Sequence, residues 1–338
     1  MFDVEIPVRY GAGMHFGVAR LALICAAVFL FAQNSPAPLI YTPGEGWHYE
    51  AVGDEGGWRK GRAKDQMDVA QAAFDKKDFG LAAKAARRVA TQWPFSDYAP
   101  QAQYILGRCY EAKGQDERAF KAYQRLIEKY PRVENYDEVV KRQYAIANRF
   151  LAGQWFKVFN IVPAFPSMDK TVKLYDQIIK NGPYSEVAPQ SQMSIGQAHE
   201  NKLFSDYTAA VKAYETAADR YNDQKVGTDA LYKVGETYNK QARRAEYDQS
   251  VAAQAIGTFT DFSTLYPEDP RVSEAQKHVN ALKTEQARGS FDVARFYERH
   301  RRWKGALIYY NDVLDKDPNS KYAEEARQRI ASINKRAR

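Results

Sequence analysis

The chain has 338 residues, 45% of them apolar and 27% charged, and a net charge of +7 from 49 basic and 42 acidic side chains. That length admits two compact domains or one elongated array, and the composition is that of a folded chain, not a disordered one. No unbroken Lys/Arg run accompanies the modest charge, which argues against a nucleic-acid partner. The two cysteines, Cys25 in an apolar run and Cys109 between Gly107 and Tyr110, are in settings too unlike to form a disulfide framework or a zinc site.

Residues 1–32 read as a targeting segment. From Phe16 to Ala32 the chain is almost wholly apolar, with Arg20 its only charge; a start at Met14 removes Asp3 and Glu5 from the region ahead of it. The run is short of the roughly 20 residues of a membrane span and suits an export signal. Ala32 is the one convenient small residue for cleavage, so an uncleaved anchor is the alternative. Residues 33–62 follow as an extended, glycine-rich tether carrying Trp47 and Trp58. Those tryptophans either pack on the first repeat or take part in binding.

From residue 63 onward one ruler recurs. A small residue is followed four positions later by an aromatic and twelve later by proline: Ala119, Tyr123 and Pro131; Thr171, Tyr175 and Pro183; Ala255, Phe259 and Pro267; Ala306, Tyr310 and Pro318. Ala82 and Pro94 fit with Ala86 in the aromatic slot, and Ala210 and Tyr214 fit with Asn222 in the proline slot. A small residue lets antiparallel helices approach, and an aromatic one turn on shares its face and fills the gap between neighbouring repeats. Proline ends the helix because it lacks an N–H and drives its predecessor out of helical backbone. Upstream, Gly107 and Tyr110, Gly235 and Tyr238, and Ala294 and Tyr297 mark a partner helix. This resembles the tetratricopeptide pattern, and it implies an all-α solenoid of about six helix pairs with a C-terminal capping helix.

The expected organisation is repeats one and two over 63–136, repeat three with an apolar insertion over 137–183, repeat four over 184–226 and repeat five over 227–267. A long linking helix and repeat six fill 268–318, and the capping helix 319–338. The insertion carries Trp155, Phe156 and Phe159. Two readings are open for it: a helix extension buried on repeat three, or an apolar patch for a partner or a membrane surface.

No phosphate loop, nucleophile elbow, Cys/His pair or metal-spaced histidines appear, so the chain reads as non-enzymatic, without cofactor or metal and without a small-molecule substrate. Arg299, His300, Arg301, Arg302 and Lys304 cluster at the expected turn of repeat six, as a solvated turn or as an attraction for lipid headgroups or an acidic partner. The first helix of each pair lines the concave face of a stacked array. Counting back from the ruler puts Gln71 and Phe74 of repeat one, and Tyr104, Arg108 and Glu111 of repeat two, on that groove.

Three helix-ending prolines open a shared phrase: Pro94-Phe95-Ser96-Asp97-Tyr98-Ala99, Pro183-Tyr184-Ser185-Glu186-Val187-Ala188 and Pro318-Asn319-Ser320-Lys321-Tyr322-Ala323. The serine is placed to N-cap the next helix. With Val293-Ala294-Arg295-Phe296-Tyr297 and Trp303-Lys304-Gly305-Ala306, these phrases resemble the BamD-type outer-membrane assembly family over roughly residues 63–335. The family is normally a lipoprotein whose acylated cysteine follows a small residue, whereas Ile24 precedes Cys25 here; it usually has five repeats, and six are counted here. The resemblance implies a periplasmic, outer-membrane-associated scaffold. It would bind the periplasmic domains of the barrel insertase and unfolded outer-membrane proteins, the latter at the amino-terminal repeats. The alternative is another envelope adaptor, serving cell division or wall synthesis and anchored in the inner membrane.

Overall fold

The structure, a computed structural model, describes residues 39–42, 46–49, 57–158, 162–201, 205–244 and 249–336. The apolar segment, Met14, Cys25 and Phe159 lie outside the described residues. Two compact units divide the chain, one ending at Lys113 and the other beginning at Gly114.

The first unit holds an antiparallel hairpin, β1 (Leu39–Thr42) and β2 (Gly46–Tyr49), and three helices, α1 (Ala63–Asp75), α2 (Phe79–Gln92) and α3 (Ala99–Ala112). The second holds α4 (Asp116–Lys129), α5 (Tyr136–Leu151), β3 (Phe156–Val158), β4 (Val162–Phe165), α6 (Met168–Asn181), α7 (Ala188–His199) and α8 (Tyr207–Arg220). It continues through α9 (Lys225–Arg244), α10 (Gln249–Leu265), the 28-residue α11 (Val272–Arg299), α12 (Trp303–Lys316) and α13 (Lys321–Arg336). In sequence order these thirteen helices of the described residues read as six pairs and a terminal helix.

The ruler residues explain the packing. The small and aromatic positions of every copy are fully buried, from Ala82 and Ala86 to Ala306 and Tyr310. Their seat differs from the sequence expectation: Tyr214 of α8 lies directly on Gly196 of α7, its own partner helix, and Phe259 of α10 lies on Gly235 of α9. The aromatic therefore fills the seam inside a pair, because a glycine opposite leaves a ring-sized notch. From that seam Phe259 also stacks on His278 of the next pair, with ring centroids 5.1 Å apart. Burial pushes the hydroxyls of Tyr175, Tyr214 and Tyr310 well above the ordinary phenol range. Each keeps a hydrogen bond by donating to the end of the preceding helix: Asn148 Oδ1 at 2.6 Å, Glu200 Oε2 at 3.3 Å and Glu298 Oε2 at 2.6 Å.

Every helix that meets a ruler proline stops two residues before it. α2, α4, α6, α10 and α12 end ahead of Trp93, Tyr130, Gly182, Tyr266 and Asp317, each of which directly precedes a proline. The serines of the shared phrase do not act as expected. Ser96 and Ser185 donate backwards, to the Trp93 and Gly182 carbonyls at 2.9 and 2.7 Å, and the next helix starts three residues on without a side-chain cap. Only Ser320 also accepts a following amide, Ala323 N–H at 3.2 Å. The carbonyls freed by the helix-ending kink compete for the hydroxyl.

Several within-pair turns pass through left-handed backbone. Gly114 (φ 62°) and Gly153 (φ 104°) supply it freely, but Lys77 (φ 61°) and Arg301 (φ 56°) adopt it with a side chain attached. Lys77→Gly is expected to stabilise the first unit by about 0.5–1 kcal/mol, relief of left-handed strain being offset in part by a freer unfolded chain. An unchanged urea midpoint would contradict this.

Both segments that read as tether and insertion contain hairpins. In 33–62, Tyr41 faces Trp47 across β1–β2, rings 5.4 Å apart, and Trp47 stays exposed. In 150–166, α5 ends at Leu151 and β3 pairs with β4, so this segment is not a helix extension.

Candidate protein-binding site

The first unit is built on alanine. Ala82, Ala85, Ala86 and Val89 of α2 are fully buried, as are Ala63 and Ala70 of α1 and Ala99 and Ala102 of α3. Such small contact residues allow close helix spacing, and they leave the larger side chains of α1 and α3 on the remaining face. Phe74 near the end of α1, and Tyr104 and Arg108 one turn apart on α3, come together there, all half-buried. The Arg108 guanidinium lies 5.6 Å from the Phe74 ring centroid and 5.7 Å from that of Tyr104, and its Nη1 donates to the Tyr104 hydroxyl at 3.1 Å. Two ring faces and a hydroxyl position this cation. A guanidinium has five N–H donors, so the bond to Tyr104 leaves four for an anion.

The other two predicted groove residues are Gln71 and Glu111, both half-buried. Gln71, one turn before Phe74, donates to Asp75 Oδ1 at 2.8 Å. Glu111 stands four residues after Gly107, the register in which Glu200 follows Gly196 and Glu298 follows Ala294. In those two helices the carboxylate accepts a ruler tyrosine's hydroxyl, so Glu111 sits in a structural register. Phe79, absent from the sequence reading, meets Phe74 edge-on at 5.6 Å. Its signal was the turn Lys76-Lys77-Asp78: Asp78 Oδ1 caps α2 through Leu81 N–H at 3.0 Å and starts the helix with Phe79 facing back across the turn. The tether meets α1 elsewhere. Buried Gln66 donates to the Trp58 carbonyl at 3.0 Å and accepts from Lys60 N–H at 2.9 Å, eight residues, or roughly 12 Å of helix, from Phe74.

The proposed apolar patch is broken up. Phe156 is 3% exposed and stacks on Phe150 with centroids 4.1 Å apart, so it belongs to the core; an aromatic at the helix end offers a better seat than water. Trp155 remains 52% exposed. Beside it, Gln154 Nε2 donates at 2.6 Å to Asp116, a buried carboxylate that also pairs with Arg149 at 2.7 Å.

The family profile described as outer membrane lipoprotein (YfiO) matches residues 167–337, half of the chain. The chain belongs to that family. A tetratricopeptide-repeat profile matches residues 101–132, spanning α3 and α4, and the fold is an all-α tetratricopeptide-repeat solenoid. A curated relative, the outer membrane protein assembly factor BamD of Caulobacter vibrioides, is 20% identical over 162 residues, 48% of this chain and 52% of its own. The match thus spans about half the length of that relative. Among solved structures, MamA from Desulfovibrio magneticus is 14% identical with a TM-score of 0.31, over 65% of this chain and 99% of its own. The C-terminal part of a tetratricopeptide-repeat protein from Cytophaga hutchinsonii is 13% identical with a TM-score of 0.33, over 78% and 87%.

The family match runs from α6 to α13, entirely inside the second unit. The Phe74–Tyr104–Arg108 cluster lies outside it and stands on its own geometry. Among the described residues no helix is long and apolar enough to cross a membrane.

Proposed function

We propose that this member of the outer membrane lipoprotein family is a non-enzymatic scaffold on the periplasmic side of the outer membrane. It would hold extended segments of unfolded outer-membrane proteins and bind the insertase that receives them. The family match and the name of the Caulobacter relative, an assembly factor, support the setting. The observation that carries the binding role is Arg108, a cation held between two aromatic rings on a half-buried face. An extended peptide ending in an aromatic and a free carboxylate suits it: the ring packs on Tyr104 and Phe74, and the carboxylate takes the guanidinium's free N–H groups.

The test is the double variant Tyr104→Ala/Arg108→Ala, with circular dichroism confirming an intact fold. A charge-assisted hydrogen bond is worth about 1.5–3 kcal/mol, so an unfolded-barrel peptide is expected to bind at least tenfold more weakly. Amidating the peptide's carboxyl terminus should weaken the parent and leave the double variant unchanged. A folded double variant that binds as tightly as the parent rules the site out.

A further inference from the structure

The turn between α11 and α12 presents a concentrated positive charge. Arg295, Arg299, Arg301, Arg302 and Lys304 are all exposed within ten residues. The carboxylate nearest in sequence, Glu298, is turned inward: it accepts the Tyr310 hydroxyl at 2.6 Å, lies 3.7 Å from Arg329 and is 18% exposed. Asp292, farther back on α11, lies 3.5 Å from Arg288. Beside the charges, Phe296 is 50% exposed, its ring 4.2 Å from that of His300. Arg301 itself holds left-handed backbone, φ 56°, as Lys77 does at φ 61°, where the turns at Gly114 and Gly153 use glycine. A glycine would sit there without strain, and the arginine keeps a charge at the apex instead.

We propose that this tip is a docking surface for an anionic lipid bilayer. Charge complementarity and form select the occupant. The basic residues surround the end of a helical hairpin, which suits a plane of phosphate headgroups better than a groove-bound peptide. The adjacent half-exposed phenylalanine suits insertion at the headgroup boundary. The contact would orient the second unit on the membrane surface, and it is independent of the peptide site in the first unit.

The experiment measures binding of the full chain to vesicles of phosphatidylcholine alone and of phosphatidylcholine mixed with phosphatidylglycerol. The amino-terminal apolar segment is the same in every variant, and the neutral vesicles report its contribution. The parent is expected to prefer the anionic vesicles and to lose that preference as salt rises. Arg301→Gly should weaken anionic binding about fivefold while raising the melting temperature, which separates loss of charge from loss of fold. The triple variant Arg299→Gln/Arg302→Gln/Lys304→Gln should weaken it on the order of a hundredfold. Equal binding by parent and variants, or no preference of the parent for anionic vesicles, overturns the proposal. Tighter binding of the parent to soluble polyglutamate than to anionic vesicles also overturns it and assigns the tip to an acidic protein.

Discussion

Gly196→Ala is expected to destabilise the second unit by about 3 kcal/mol, at the upper end of the usual cost of overpacking. A methyl added at Gly196 would meet Tyr214 Cε1 at 2.3 Å and Cδ1 at 2.6 Å, inside any real carbon contact. The ring cannot step aside, because Tyr214 is fully buried and its hydroxyl donates to Glu200 at 3.3 Å. Glu200 is itself committed, accepting from Thr237 Oγ1 at 2.7 Å and pairing with Lys240 at 3.1 Å. Tyr214→Ala should cost on the order of 3–5 kcal/mol as a buried aromatic lost to a cavity. The informative variant is the double one. With the ring gone, the methyl at position 196 enters the cavity, so Gly196→Ala/Tyr214→Ala should cost about 2–3 kcal/mol less than the two single changes summed. Urea denaturation of the four proteins measures this. Additive costs would show that glycine and ring do not share one space.

The spacing of the ruler residues is legible in the sequence because it follows from helix period and proline chemistry, although it puts the aromatic between neighbouring repeats and not on the glycine of its own pair. Residues four apart share a face, and a proline forbids helix at its predecessor. The helix-stopping roles of Pro94, Pro131, Pro183, Pro267 and Pro318 follow from the chain alone. The grouping of Phe74 with Tyr104 and Arg108 is legible for the same reason: helical register puts them on one face of neighbouring helices. What the sequence hides depends on contacts without a period. The apolar stretch from Trp155 to Val162 reads as a helix extension or as an exposed patch, and a strand there comes to light only with the pairing of β3 with β4. The stacking of Phe156 on Phe150 crosses a helix end, where register gives no guidance. Ser96 and Ser185 carry a good capping composition, but the proline-kinked turn offers their hydroxyls a nearer carbonyl than the next helix offers an amide. Glu111 has the exposure of a groove residue and the register of a buried tyrosine's acceptor; that distinction needs the bonds of Glu200 and Glu298 to be seen.

Arg271→Ala is expected to cost about 2–3 kcal/mol, because one guanidinium joins three helices. From the turn between α10 and α11, Arg271 forms a bidentate pair with Asp269, Nε to Oδ1 at 2.9 Å and Nη2 to Oδ2 at 2.8 Å. It also reaches Asp229 of α9 at 2.9 Å. Its plane lies 4.9 Å from the Tyr232 ring centroid and 5.4 Å from that of Phe262, in α9 and α10. Truncation would remove the stack and leave two carboxylates facing each other; the side chain is 27% exposed, which sets the cost below the 3–5 kcal/mol typical of a fully buried pair. Arg271→Lys should recover less than half, since an ammonium can neither form the fork nor stack. The loss has a pH signature. Hydrogen bonds from the Arg271 side chain and backbone hold the Asp269 carboxyl down at about 2, below its ordinary 3.8. A carboxyl depressed in the folded state contributes stability that is fully present above its unfolded pKa and is lost as pH falls through the folded one. The parent's advantage over Arg271→Ala should therefore be constant above pH about 4 and shrink towards pH about 2. Urea midpoints of both proteins across that window test it. A gap that stays constant would assign the contribution of Arg271 to its packing on Tyr232 and Phe262 and not to its charge.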